Sequence, residues 1–186
     1  MPGKVPKSAP IWSAVWMDLA LVAFLVGLDV VARIAPHHPG FLPVAASALF
    51  AGRMLRIPAL APLVPVAAMV LSALALGADD WRISLIVTAA ISLPAFVGIV
   101  SRRWPGIAAT AAVMVPCSLV FFALSNFAVW AFSGMYSLDV AGLTQCYVAA
   151  LPFLQNTVAG DLFWTAVLFG GAWMIQNGAA LAGRAR

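Results

Sequence analysis

LVPVAAMVLSALALG, residues 63–77, decides the architecture. Apolar side chains occupy neighbouring positions, and Ser72 is the one hydroxyl among them. A barrel strand would alternate apolar and polar residues over about ten positions. This run does not alternate, so it reads as a helix with lipid as its solvent. Its surroundings agree: hydrophobic residues make up 64% of the 186-residue chain and charged residues 9%. Soluble domains carry about 25% charge, so this composition cannot make a water-facing surface.

Working outward, a helical span needs about 20 apolar residues. The runs predict an all-α membrane protein: one integral membrane domain over 1–186 with six transmembrane helices. The spans fall at about 12–34, 41–55, 58–77, 81–100, 105–132 and 157–178. The second is short and contains Pro43. Between the fifth and sixth, residues 133–156 include LTQCYVAALPFL, apolar but too short to cross. That segment is expected to form a short interfacial or re-entrant helix. The N-terminal MPGKVPKSAPIW resembles a signal peptide in charge order only, and the run after it is long enough to span.

Charge gives the expected orientation. Six spans put Lys4, Lys7, Arg53, Arg56, Arg102, Arg103, Arg184 and Arg186 on one side, with Arg33 and Arg82 opposite. That asymmetry fits positive-inside topology in a bacterial inner membrane, with both termini cytoplasmic. The net charge of +4 is spread thinly between apolar runs and makes no nucleic-acid patch. Two cysteines, Cys117 and Cys146, are too few for a disulfide framework.

The expected outer side gathers the recognition chemistry. Its loops and helix ends hold His37, His38, Phe41, Asp79, Asp80, Trp81, Asn126, Trp130, Tyr136, Tyr147, Asn156 and Asp161. Aromatic faces with a few fixed polar groups suit a small-molecule pocket. Asn126 and Asp161 stand out, because amides and carboxylates inside apolar spans are costly and face an interior or a cavity. Each has a plainer reading as well. Trp81, Trp130 and Tyr136 fit an interfacial aromatic belt. Asp79 and Asp80 fit a helix cap. The adjacent histidines, lacking further ligands nearby, do not read as a metal site. Asp18 and Asp29, near opposite ends of the first span, read as snorkelling or capping residues. Ala48 and Gly52 make a small-residue stripe suited to close helix packing, either internal or against a partner helix. No nucleophile elbow, HExxH or phosphate loop occurs, so the chain does not read as an enzyme.

RIAPHHPGFLPVAASALFAG (33–52), LVPVAAMVLSALALG (63–77) and residues 121–164 resemble an uncharacterised family of small bacterial membrane proteins. That family is similar to the substrate-binding S-components of energy-coupling-factor transporters and to solitary cobalamin-uptake proteins. The resemblance implies an S-component-like bundle that binds a small vitamin-like substrate at its outer face for uptake. It also implies a membrane scaffold subunit with ATPases as partner. Were the substrate a cobalamin, His37, His38 and Cys146 would be the candidate cobalt ligands. The chain departs from the family's pattern at Gly40, Leu42 and Ala73, where asparagine, threonine and aspartate are expected. The alternative is an accessory or structural subunit of a larger membrane complex, respiratory or photosynthetic.

Overall fold

The computed structural model describes residues 11–36, 38–77, 80–104 and 106–184. Six helices build it: α1 (Ile11–Ile34), α2 (Val44–Met54), α3 (Leu63–Leu76), α4 (Trp81–Val100), α5 (Ile107–Phe132) and α6 (Val140–Arg184). One 3₁₀ turn, Pro58–Leu60, leads into α3, and another, Ser101–Arg103, follows α4. No strand occurs among the described residues. Among the described residues five stretches are long and apolar enough to cross a membrane: Ala14–Ile34, Pro58–Leu76, Trp81–Arg103, Ile107–Phe132 and Val140–Gly178. Trp16, Phe24, Leu74, Leu85 and Phe127 point outward from them, as a lipid solvent demands. The chain is a multi-pass, all-α membrane protein.

Side-chain ties fix the direction of each helix. Asp18 of α1 accepts the Ile57 amide, while Asp29, three turns on, accepts the Ser47 hydroxyl. Arg33, at the end of α1, donates to Ser72 near the end of α3. Arg53, at the end of α2, donates to Ser101 after α4 and to Thr110 at the start of α5. Ser118 and Asp161 join α5 to α6. Successive segments therefore run in alternate directions, and Ile11 and Arg184 lie at the same end of the bundle. That end carries Arg53, Arg56, Arg102 and Arg103 and is called the basic end below. Lys4, Lys7 and Arg186 lie outside the described residues.

The second segment is not a span in the expected sense. α2 has 11 residues, about 16 Å of helix against a hydrocarbon core of about 30 Å. Pro43 stands at its N-terminal boundary, and residues 38–43 pass from exposed to buried ahead of it. α2 is instead the centre of the protein. Every residue from Val44 to Gly52 is buried, packed among α4, α6, α3 and α1. The small side chains of VAASALFAG permit this. A Cβ placed on Gly98 of α4 would stand 2.5 Å from the Leu49 carbonyl oxygen and 3.0 Å from Gly52 Cα. The Ala48–Gly52 stripe thus packs inside the chain, the internal one of its two readings, and is not a partner-helix surface.

Residues 133–156 also differ from expectation. They hold no separate interfacial helix: α6 begins at Val140 and runs unbroken through the sixth span for 45 residues. Asp139 starts it, accepting the Gly142 amide and the Ser137 hydroxyl. These donors hold the exposed Asp139 carboxyl below the usual carboxylate range, the Gly142 amide contributing most. Pro152 lies within the helix without ending it, as membrane bundles tolerate. Asp29 departs too. It is fully buried, ties α1 to α2 through Ser47, and neither snorkels nor caps. Asp18 is buried as well, and by accepting the Ile57 amide it ties α1 to the turn before α3.

Candidate functional site

A mismatch between α5 and α6 opens the site. The two helices touch at Ser118–Asp161 and again at Asn126–Cys146. Between these points α5 advances 126 − 118 = 8 residues and α6 advances 161 − 146 = 15. At 1.5 Å per residue these are about 12 Å and about 22 Å. Two helices joined at both ends over unequal lengths cannot stay in parallel register throughout, which leaves room between them. Pro152 lies in this interval of α6, where it removes one ladder hydrogen bond.

The Pro-rich loop fills part of the gap. Gly40 has φ +82° and sits so close to α6 that a Cβ would stand 2.8 Å from Thr157 Oγ1 and 3.1 Å from the Phe153 carbonyl oxygen. Both conformation and space therefore require glycine here, where the resembled family would carry asparagine. Gly160 of α6 is equally close to Phe41, whose ring lies 5.3 Å from that of Phe163.

What remains is a cavity of about 310 Å³ between α2, α4, α5, α6 and the loop. Val44, Ile91, Pro94, Phe121 and Phe153 supply apolar wall. Arg33, Ser125, Asn126, Thr157 and Asp161 supply the polar groups. Asp161 is 3% exposed, and one carboxylate oxygen accepts the Ser118 hydroxyl at 2.5 Å. The Asn126 amide donates to the Phe122 carbonyl one turn back at 2.7 Å, which leaves its oxygen free to accept. An apolar slot with a carboxyl, an amide and hydroxyls can orient a small polar molecule. Among the described residues no group of three metal-ligating side chains forms.

Of the residues picked from sequence, Asn126 and Asp161 line this cavity, and Phe41 sits between the lining residues Gly40 and Leu42. The others disperse. Asp80 caps α4 by accepting the Arg82 amide, and Trp81 is 69% exposed at the helix start. The Trp130 indole donates to the Ser137 carbonyl and clasps the α5–α6 turn. Tyr147 donates to the Ala123 carbonyl at 2.6 Å and packs edge-on against Phe122, outside the cavity. Tyr136, Asn156 and His38 are absent from the lining. His37 and Asp79 lie outside the described residues. Cys146 is buried and directed at the Asn126 carbonyl, so it is already engaged within the bundle. Sequence reasoning missed Ser118 and Thr157. Arg33 and Ser125, both on the expected outer side, do line the cavity, and the Arg33 guanidinium also donates to Ser72.

Residues 13–182 match a family of unknown function, DUF6580. The chain belongs to that family. No curated protein and no solved structure matches it. The family description assigns no chemistry, so the reading of the cavity rests on its geometry.

Proposed function

We propose that the protein binds a small polar, vitamin-like molecule in the α2–α4–α5–α6 cavity from the extracytoplasmic side of a bacterial inner membrane and mediates its uptake. The observation that carries the proposal is the apolar cavity between α2, α4, α5 and α6, furnished with Asp161, Asn126 and Arg33. The volume lies at the lower end of ligand pockets, 300–1,000 Å³, and favours a compact molecule over a corrinoid. Residues 38–43 are the natural cover, because Gly40 and Leu42 line the cavity on the side remote from the basic residues. Positive-inside distribution puts the basic end in the cytoplasm. Release inward needs a partner that supplies energy, as the S-component resemblance implies. The accessory-subunit alternative loses its proposed docking stripe, because Ala48 and Gly52 are buried within the chain.

The test is mass spectrometry of small molecules released from the purified protein. Tryptophan-fluorescence titration with thiamine, riboflavin, biotin, pantothenate and nicotinamide accompanies it, read on the wild type and on Asp161→Asn. A released or quenching molecule whose affinity falls about tenfold or more in the variant is expected, as for loss of one charge-assisted hydrogen bond. Folded protein that yields no small molecule and responds to none of the five overturns the proposal.

A further inference from the structure

A second cavity, of about 580 Å³, opens at the basic end, far from the first. Three sources of positive potential converge on it. Arg53 spans its inner wall, donating to Ser101 and Thr110, with its guanidinium 5.7 Å from the Phe169 ring centre. One terminal nitrogen, Arg53 Nη2, is buried and has no hydrogen-bond partner. Arg102, also in the wall, donates to the Gly52 and Leu55 carbonyls at the end of α2 through Nε and Nη2. Third, Gly106 and Ile107 bring the N-terminus of the 26-residue α5 to the cavity, and no side chain caps it. The first-turn amides of such a helix lack intrahelical partners and favour an anion.

Most of the remaining lining is apolar: Met54, Ile107, Phe169 and Ala172, with Trp104 and Trp173 half-exposed and Gln176 the added polar side chain. An oxyanion in the cavity would lie in the field of both guanidinium groups and of the α5 N-terminus, and a hydrocarbon chain would cover the apolar wall. We infer that this cavity binds the phosphate headgroup and proximal acyl chain of an anionic phospholipid. The phosphate would sit between Arg53, Arg102 and the first turn of α5, and the chain would run along Ile107 and Phe169. Tryptophans at the rim suit the depth of lipid headgroups.

The experiment uses the full chain in neutral detergent, exposed to equal amounts of phosphatidylglycerol and phosphatidylcholine and examined by native mass spectrometry. Preferential retention of one phosphatidylglycerol is expected. Arg53→Gln removes the charge. Gly170→Phe fills the cavity, since nothing lies within 4 Å of a Cβ at Gly170. Each should lower retention about tenfold or more, the equivalent of one charge-assisted hydrogen bond. Gly170→Phe also keeps the test decisive if Arg53→Gln fails to fold. Equal retention of both lipids, or wild-type retention by Gly170→Phe, overturns the inference. So does inorganic phosphate raising the melting temperature of lipid-free protein as much as phosphatidylglycerol does, because the site would then belong to a free anion.

Discussion

Replacing Gly52 with alanine adds one methyl group where α2 crosses α4. The new Cβ would meet Gly98 Cα at 2.9 Å and Ile99 N at 3.0 Å, and the Ala95 carbonyl oxygen more closely still. Carbon contacts are comfortable at about 3.5–4.0 Å, so the helices must part by about 0.5–1 Å, enough to forfeit a quarter to a half of each contact's attraction. All three obstructing atoms are backbone, so no side-chain rotation relieves the clash. Overpacking a core costs about 1–3 kcal/mol, and this site belongs near the top, about 2–3 kcal/mol. For a chain of this size about 1 kcal/mol moves Tm by 2–4 °C, which predicts a fall of about 4–12 °C. The protein carries its own reporter: Cys117 and Cys146 are both free and buried. A thiol-reactive dye in a detergent melt reads their exposure. Gly27→Ala is the control, in α1, where a Cβ meets nothing within 4 Å. Relief of glycine's helix penalty there should leave Tm level or slightly raised. If Gly52→Ala melts with the wild type, or Gly27→Ala falls equally far, the argument that α2 is held by backbone contact is wrong.

Ser47→Ala should destabilise the protein by about 1–3 kcal/mol, because it removes the partner of one Asp29 oxygen while the other oxygen already lacks one. The same dye melt measures it, and a variant that melts with the wild type would refute the reading. The start of α6 should depend on acidity. Asp139 is held below its ordinary value of 3.8 by its donors, so its contribution is present above that pH and is lost as pH falls through the lower folded value. Hydrogen exchange at the Gly142 amide should quicken in strong acid in the wild type, and an Asp139→Ala variant should exchange rapidly at every pH.

The long helices were legible in the sequence because lipid leaves so little freedom: LVPVAAMVLSALALG can satisfy its backbone there only as a helix. α2 was misjudged because VAASALFAG is equally apolar, and run length alone does not tell a core helix from a spanning one. The joining of LTQCYVAALPFL to the sixth span was hidden by Pro152 and by the polar Gln155 and Asn156, which look like a boundary but sit within one helix. At the cavity, Asn126 and Asp161 could be found because a polar group in an apolar run carries its own signal. Thr157 could not, since its place depends on the offset between α5 and α6, which no local pattern encodes. The scattered aromatics misled for the opposite reason. Trp81, Trp130 and Tyr147 share one end of the molecule, but each is engaged with a different turn or helix surface.

The brevity of α2 has a consequence for biogenesis. The order of crossings, and hence the compartment each later loop enters, depends on a segment that lacks the length to partition into lipid by itself. It must enter as a passenger between α1 and α3, shielded first by Leu25 and Val64 and only afterwards by α4 and α6. A ribosome pausing before α4 emerges would hold a chain whose sidedness is not yet decided.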